Sequence, residues 1–329
     1  MNTLILCGLL APLLFLVELA YLRLARLGNL VDKPNERSSH THDTVRGGGV
    51  LFYVAALLAE AELGWPHPYL VAGLTLVAGI SFRDDWRALP NCYRLAVQFV
   101  SVALLLRETG VWPDSGWVGM GMLIVGVGVL NAGNFMDGIN GMTAFYGLMT
   151  TATLGLLFSR TGDTDAATLF AVVWVSLLVF SYFNARLCAV CFAGDVGSVS
   201  LAFLMLYGIA RLVVREQTYL PLLLLAVYGA DTVLTIAHRL HGRQNIFRAH
   251  RTHLFQWLVH RAGWSHRRVS ALYTGLQLGI NTLVLNALHW PAGQQGLLAA
   301  GVLLGLTITY VAVKQRLTTA QGTKKPVLR

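Results

Sequence analysis

Two adjacent carboxylates, Asp84 and Asp85, follow an apolar stretch in the segment ISFRDDWRALP. Neighbouring carboxylates repel each other unless a cation lies between them. Oxygen ligands of this kind suit Mg²⁺, which binds one or two carboxylates together with waters and substrate phosphates. The alternative is a solvated loop in which Arg83 and Arg87 neutralise the pair, and the motif alone leaves both interpretations open.

A second polar segment, NAGNFMDGINGM at residues 131–142, carries an amide or acid side chain every three residues: Asn131, Asn134, Asp137 and Asn140. Helical or turn geometry can bring side chains at this spacing toward one face. Two glycines in the segment permit close approach of the backbone to a ligand. We therefore expect a binding segment here, with a plain loop between helices as the alternative.

Two further aspartates stand apart from these segments. Asp195, in the sequence AGDVGS, is either a helix cap or a metal ligand beside amide groups that favour anions. Asp231 lies within an apolar segment, where an acid is costly and often functional; its alternative role is pairing with His238, seven residues later. The sequence does not choose between the two roles of either aspartate.

Basic groups gather in two segments. Residues 238–268 carry seven arginines, and five histidines follow His238; residues 31–49 include Arg46 and the glycine run 47–49. Arginine forks match phosphate oxygens bidentately, so these segments favour a phosphorylated substrate. Attraction to anionic lipid headgroups is the alternative. Nucleic-acid binding is disfavoured, because these segments lack regularly spaced aromatic side chains on which bases could stack. The chain also contains no P-loop, serine-hydrolase or zinc-protease motif.

The composition indicates what must position these side chains. Of 329 residues, 55% are hydrophobic and 12% charged, about half the charged fraction of an average soluble domain. We therefore predict an all-α polytopic membrane protein with about eleven transmembrane helices. The predicted spans are 2–22, 47–64, 67–82, 93–107, 116–131, 142–159, 165–183, 197–211, 218–238, 270–289 and 293–313. The first span lacks a basic n-region and a cleavage site, so we expect an anchor rather than a signal peptide.

Basic residues predict the orientation. Loops after odd-numbered spans, together with the C-terminal tail, hold 21 of the 25 Lys and Arg residues, and the opposite side holds four. The positive-inside rule then places the N-terminus in the periplasm and the C-terminus in the cytoplasm. On this topology residues 1–313 form a single membrane domain, residues 314–329 form a basic cytoplasmic tail, and the active site lies in cytoplasmic loops. The external loops are predicted to be short and to carry little chemistry.

These segments place four candidate carboxylates, several amides and a cluster of Arg and His on one face of the membrane. That set suits a diphosphate bound through Mg²⁺, with carboxylates that hold the metal or take a proton and cations that neutralise phosphate. A site at the bilayer surface suits a lipid phosphate as the second reactant. The residue types therefore predict phosphoryl transfer to a membrane-embedded acceptor.

An ordered series of motifs extends this prediction. They are D-x-P at Asp32 and Pro34, R-S-x-H at Arg37 to His40, RGGG at 46–49, DD at 84–85, NFMDGINGM at 134–142, Asn184, GDVGS at 194–198 and H-R-x-H-L at 250–254. In these motifs, over most of its length, the chain resembles the polyprenyl-phosphate N-acetylhexosamine-1-phosphate transferases, the WecA/MraY superfamily or glycosyltransferase family 4. RGGG, Asn140 and the H-R-T-H-L block are most similar to the WbpL-like branch, which initiates O-antigen or related glycans.

The resemblance implies a reaction, a cofactor and a set of site residues. The reaction transfers an N-acetylhexosamine 1-phosphate (GlcNAc, or a derivative such as FucNAc or QuiNAc) from a UDP-sugar to undecaprenyl phosphate in the bacterial inner membrane, with release of UMP. The implied cofactor is Mg²⁺, with Mn²⁺ as a substitute; the implied partners are the nucleotide sugar, membrane lipid and a second copy of the chain in a homodimer, but no nucleic acid. The implied catalytic residues are Asp84, Asp85 and Asp137, the metal ligands Asp195 and Asp85, and the substrate-binding residues Arg46, Arg94, Asn134, Asn140, Asn184, Arg251 and His253.

Four positions depart from the family pattern. Asp43 and Val45 stand where many relatives have prolines, Asn140 where many have aspartate, and Phe255 where a second histidine is common. The changes bear on loop conformation and sugar preference more than on the reaction class. The alternatives are an MraY-like phospho-N-acetylmuramoyl-pentapeptide transferase, whose usual triple-histidine block is missing, and a membrane transporter or flippase.

Overall fold

The computed structural model describes residues 2–33, 42–112, 115–245 and 251–322, and within these ranges the chain is largely helical. The helices are α1 Thr3–Leu27, α2 Val50–Leu63, α3 Pro68–Trp86, α4 Asn91–Thr109, α5 Gly116–Met136, α6 Met142–Thr161, α7 Thr164–Asn184, α8 Gly194–Glu216, α9 Ala226–His241, α10 Leu254–His260, α11 His266–Ala287 and α12 Ala292–Gly322. A 3-10 turn at Leu220–Leu225 leads directly into α9. Strands β1 (Val31–Asp32) and β2 (Thr44–Val45) form a short antiparallel pair.

Each of the eleven predicted spans overlaps one long helix, with the turn before α9 included in the ninth. Seven helices in the described ranges are long and apolar enough to cross a membrane: α1, α5, α6, α7, α8, α9 with its preceding turn, and α12. The all-α polytopic membrane fold is therefore confirmed. Helices α2, α3, α4 and α11 are shorter or more polar, so the count of eleven crossings and the orientation stay predictions.

Helix α8 forms the centre of the bundle. It packs against α2, α3, α4, α5 and α6, and its Phe203, Leu204 and Tyr207 are fully buried. By contrast, α1 and α12 lie at the periphery and expose leucines such as Leu4 and Leu297. Large exposed apolar faces of this kind are typical of a surface that contacts lipid.

Helix α12 continues through residue 322 without a break at 313, where the tail was predicted to begin. Lys314 lies in this helix, is buried, and donates from Nζ to the Thr252 carbonyl at 3.2 Å. The C-terminal helix is thereby attached to the segment that precedes α10. Residues 323–329, and the motif residues Pro34, Arg37 to His40 and His250, lie outside the described ranges.

A backbone ladder joins the glycine run to the start of α8. The amides of Gly48 and Gly49 donate to the carbonyls of Phe192 and Ala193 at 2.9 and 3.1 Å. A Cβ on Gly49 would come within 2.4 Å of the Gly197 Cα, so neither backbone tolerates a side chain at this crossing. The glycines of RGGG and GDVGS therefore serve helix–helix contact, and they bring the first turn of α8 beside residues 46–49.

The opposite end of the bundle carries a buried network of charges. Asp163, between α6 and α7, accepts from Arg211 at 2.6 Å (Nε to Oδ2) and 3.2 Å (Nη2 to Oδ1). Glu60 Oε1 lies 2.9 Å from His67 Nδ1, and His67 Nε2 lies 3.2 Å from Arg211 Nη1. Residue spacing gave no sign of this network, because it is assembled from four separate elements, each of which contributes only one or two charged or titratable groups.

Candidate active site

The two adjacent acids have different partners. Asp85 is buried and caps α8: its carboxylate accepts from the Asp195 amide at 3.0 Å and the Val196 amide at 2.9 Å. Burial and the charge of Asp195 raise the pKa of Asp85 to about 7, although the two amide hydrogen bonds and Arg46 oppose the shift. Asp85 therefore sets the position of the first turn of α8 against the end of α3.

Asp84 instead faces α4. Its carboxylate accepts from Arg94 Nη1 at 2.8 Å and from the Leu89 amide at 2.6 Å. The other Arg94 nitrogen, Nη2, lies 3.0 Å from Asp195 Oδ2, so one guanidinium bridges two acids that are 111 positions apart in sequence. The solvated-loop alternative made Arg83 and Arg87 the partners of this pair, and the cation that the structure places on Asp84 is Arg94.

The end of α5 supplies the next side chains of the cluster. Asn134 lies beside Asp195, and its side chain favours the ionised form of that carboxyl group. Asp137, which directly follows α5, accepts from Thr143 Oγ1 at 2.6 Å. Burial, with a contribution from the charge of Asp195, raises the pKa of Asp137 to about 6, and the hydrogen bond from Thr143 opposes this. Asn134 and Asp137 thus share the surroundings of Asp195, as their three-residue spacing predicts.

The other two amides of the 131–142 segment point elsewhere. Asn131 donates to Gln98 Oε1 at 2.8 Å, within the bundle. Asn140 donates to the carbonyls of Arg186 and Leu187 at 3.1 and 3.2 Å. The three-residue period therefore does not bring all four side chains to one face: Asn131 lies about one turn earlier in α5, and Asn140 follows the end of that helix at Met136.

Asn184 also connects backbone segments. Its Oδ1 accepts from the Gly141 amide at 2.8 Å, and its Nδ2 donates to the Cys191 carbonyl at 2.9 Å. Both ends of this buried amide are occupied in cross-linking the loops after α5 and α7. Substrate contact by Asn140 and Asn184 stays a prediction, and in the structure both hold loops in place.

The residues around α10 reach the same region. The His253 ring lies 6.0 Å from that of Phe135, the neighbour of Asn134. Arg251 has a buried Nη2 without a hydrogen-bond acceptor among the described residues, which suits a phosphate oxygen. Arg46 lies at the mouth of the site and pairs with Asp32 at 3.2 Å.

Asp231 fixes the position of His253. Its buried carboxylate lies 3.3 Å from His253 Nδ1 and accepts from the amides of Leu254 and Phe255 at 2.9 and 3.2 Å. Tyr273 adds a hydroxyl donor at 2.6 Å. His238 is exposed and is not the partner that the spacing predicted; the true partner lies 22 positions away, at the start of another helix.

The carboxylates of this cluster are candidate ligands for a magnesium ion. Among the described residues, no group of three His, Cys, Asp or Glu side chains converges on one point. Two do come together: Asp84 and Asp195 interact directly and share Arg94. Two carboxylates suffice for Mg²⁺, which takes its remaining ligands from water and substrate phosphates. The residues thus fit a two-carboxylate site formed by Asp84 and Asp195, which share Arg94; Asp85 as a ligand stays a prediction.

Known proteins share sequence with the region that carries these acids. Residues 67–213 match the sequence model of glycosyl transferase family 4, which spans every acid of the cluster. A probable undecaprenyl-phosphate N-acetylglucosaminyl 1-phosphate transferase from Bacillus subtilis is 25% identical, over 78% of this chain and 77% of its own length. A decaprenyl-phosphate N-acetylglucosaminephosphotransferase from Mycolicibacterium smegmatis is 24% identical, over 96% of this chain and 90% of its own.

A third relative, a phospho-N-acetylmuramoyl-pentapeptide-transferase from Symbiobacterium thermophilum, is 27% identical over 70% of this chain and 78% of its own length. The matched region and these relatives support the WecA/MraY superfamily of polyprenyl-phosphate N-acetylhexosamine-1-phosphate transferases as the family that this chain resembles.

Proposed function

We propose that the protein transfers N-acetylhexosamine 1-phosphate from a UDP-sugar to undecaprenyl phosphate, yielding undecaprenyl-diphosphate-sugar and UMP. The observation that supports this most directly is the cluster of Asp84, Arg94, Asp137 and Asp195 at the ends of apolar helices. A site at the ends of membrane-spanning helices would be accessible to one reactant from water and to the other from the bilayer. The product would initiate O-antigen or another cell-envelope polysaccharide at the inner membrane.

The reaction needs little covalent chemistry from the protein. An oxygen of the lipid phosphate attacks the β-phosphorus of the UDP-sugar; the new P–O bond forms as the bond to the bridging oxygen breaks, and UMP leaves with that bond's electron pair. Because a phosphate monoester is already anionic, positioning and charge neutralisation supply most of the catalysis. We therefore favour direct attack over a covalent aspartyl intermediate.

The residues of the cluster divide these tasks. Arg94 and Arg251 carry donors for phosphate oxygens, and Asp85 holds the first turn of α8 in position. Asp137 has its pKa raised to about 6 by burial and so is suited to hold or release a proton beside the phosphates near neutral pH. A bound Mg²⁺, or Mn²⁺ in its place, held by Asp195 with Asp84 or Asp85, would neutralise charge on the diphosphate.

An MraY-like activity on UDP-N-acetylmuramoyl-pentapeptide is the second candidate, favoured by the Symbiobacterium relative. The sequence H-R-T-H-L at 250–254, with Phe255 in place of a further histidine, favours the N-acetylhexosamine donor. A transporter or flippase is disfavoured because the acids cluster at one end of the bundle and the family relatives are transferases.

The test is an assay in membranes that contain the protein, undecaprenyl phosphate, Mg²⁺ and a panel of radiolabelled UDP-sugars, including the muramoyl-pentapeptide donor. We expect a lipid-diphosphate product and stoichiometric UMP from one N-acetylhexosamine donor. If no donor yields both products, the transferase proposal is wrong. Product from the muramoyl donor alone would establish the second candidate.

A further inference from the structure

We propose that a groove between α1 and α7 is a binding site for an anionic phospholipid. The groove has a volume of about 690 Å³ and lies at the same end of the bundle as the candidate active site. Its walls combine apolar side chains, such as Phe15 and Leu19, with the three arginines Arg23, Arg26 and Arg186. The combination matches an amphiphile with a phosphate headgroup.

The arginines provide the charge complementarity. Arg23 and Arg26 are exposed in the last turns of α1, and among the described residues no acidic side chain lines the groove. Arg186 is held in place, because its Nε donates to the Tyr182 carbonyl at 2.7 Å and its guanidinium stacks 4.3 Å from the Tyr182 ring centroid. Its terminal nitrogens are thus presented to a ligand with little loss of side-chain freedom.

The apolar wall distinguishes a lipid from a soluble anion. Leu19 is 43% exposed and Leu27 is 77% exposed, on a helix that is otherwise long and apolar enough to cross a membrane. Acyl chains lying along this wall would cover it, whereas a free phosphate would leave it open. Arginines near a helix end that hold a headgroup above apolar residues are the usual arrangement at a membrane interface.

The groove differs from the proposed active site. Of Asp84, Asp85, Asp137 and Asp195, none lines it, and its wall residue Val190 accepts a backbone hydrogen bond from Val45 at 3.3 Å. The groove therefore backs onto the ladder that holds residues 46–49 against α8, without sharing an acid with the site. We assign it to a membrane phospholipid, not to the acceptor substrate, and the assignment does not depend on the proposed reaction.

The experiment measures lipid retention by native mass spectrometry on the full chain, exchanged from nanodiscs that contain equal amounts of dioleoyl-phosphatidylglycerol and dioleoyl-phosphatidylcholine. We expect wild type to retain phosphatidylglycerol preferentially. Two arginines near the surface contribute about 2 kcal/mol together, so the double variant Arg23→Gln/Arg26→Gln should lose about thirtyfold in that preference. The control Arg267→Gln/Arg268→Gln removes the same charge from exposed positions elsewhere and should retain it.

A second variant tests the apolar wall of the groove independently of its positive charge. Leu19→Trp fills the apolar wall, keeps all three arginines and should lower retention of phosphatidylglycerol. The proposal is wrong if the arginine variant retains its preference while monodisperse, if the control loses as much, or if Leu19→Trp has no effect. It is also overturned if glycerol phosphate displaces the lipid, which would indicate a soluble-anion site, or if undecaprenyl phosphate displaces it, which would indicate the acceptor site.

Discussion

The two ends of the helical bundle both bury charged side chains, but they balance them differently. At one end, Asp163 lies between Arg211 and Arg215, and Glu60 meets His67. At the other end, Asp84, Asp85, Asp137 and Asp195 gather around Arg94, with Arg46 nearby. The first set is matched in charge, and the second has an excess of acid.

The pKa directions follow from this difference. Burial alone disfavours the ionised form of Asp163, but the hydrogen bonds and charges of Arg211 and Arg215 outweigh it and lower the pKa of Asp163. Burial and neighbouring acids instead raise the pKa values of Asp85 and Asp137. A paired network of this kind holds helices together, whereas an acid-rich cluster is suited to a cation or a proton that arrives with the substrate.

The largest loss of activity is expected for Asp195→Asn, which removes an acid from the end of the bundle with an excess of acidic side chains. Activity should fall by roughly 100- to 1,000-fold, because the charge that positions the metal and the diphosphate is lost. Thermal stability should stay unchanged or rise slightly, since repulsion from Asp84 and Asp85 decreases. The measurement is turnover in the UDP-sugar assay beside a melting curve.

The matched control is Asp165→Asn, which removes an acid from the first turn of α7 at the other end. It should retain turnover within about twofold, as surface substitutions usually do. Retained turnover in Asp195→Asn would remove that residue from the metal site and weaken the contrast between the two ends.

Asp231→Asn tests a buried acid that has its hydrogen bonds satisfied and that lies at the end of the bundle with the candidate active site. The amide cannot accept all the donors that Asp231 receives from His253, Leu254, Phe255 and Tyr273. We expect turnover to fall by about 10- to 100-fold through misplacement of His253, with a change in KM for the UDP-sugar, as for removal of an outer-shell partner.

The control for Asp231 is Tyr273→Phe, which removes one donor to the same carboxylate and leaves the His253 contact. If both variants lose stability and neither changes KM or turnover of the folded fraction, Asp231 is purely structural. Asp231 would then resemble Asp163 at the other end more than its neighbours.

Asp163→Asn should act on stability alone. It leaves Arg211 without its bidentate partner in a partly buried position, which we expect to cost about 2 kcal/mol of unfolding free energy. Turnover per folded molecule should be unchanged. A melting series in detergent checks the first expectation, and loss of turnover in fully folded protein would contradict the division of roles between the two ends.

The smallest expected effect is a pH dependence of stability that arises from Asp163 and its arginine partners. Because the folded-state pKa of Asp163 lies below the unfolded value of about 3.9, its stabilisation is present above that pH and is lost as pH falls through the folded pKa. We expect an acid destabilisation below about pH 4 that Asp163→Asn lacks. Identical acid melting of wild type and variant would show that the pair contributes nothing to this dependence.

Several parts of the site could be predicted from local sequence. The segments with Asp84, Asp85, Asp137 and Asp195 each adjoin an apolar helix end, so periodicity and hydropathy placed them at helix termini. The three-residue spacing correctly placed Asn134 and Asp137 in the same surroundings, near Asp195. It failed for Asn131, which lies about one turn earlier and contacts Gln98, and for Asn140, which follows the end of the helix, where its period no longer applies.

Other parts of the structure could not be predicted from local sequence, because they depend on contacts between distant residues. The Arg94 bridge spans about one hundred residues, the Asp231–His253 contact joins two helices, and the Asp163–Arg211 pair links a turn to the central helix. Each residue by itself is an ordinary charge beside a membrane span. Nothing in the spacing of the chain indicates which of the basic residues will approach which acid.

The sequence by itself determined the membrane fold class, the helix ends that carry acids and the family resemblance, because these depend on residue type and short-range order along the chain. Only the tertiary structure decided that Asp85 caps α8 while Asp84 and Asp195 share Arg94, and that a second set of acids is fully paired at the opposite end. The reason is that charge pairing and burial depend on distances between helices, which are set by how the whole bundle packs around α8.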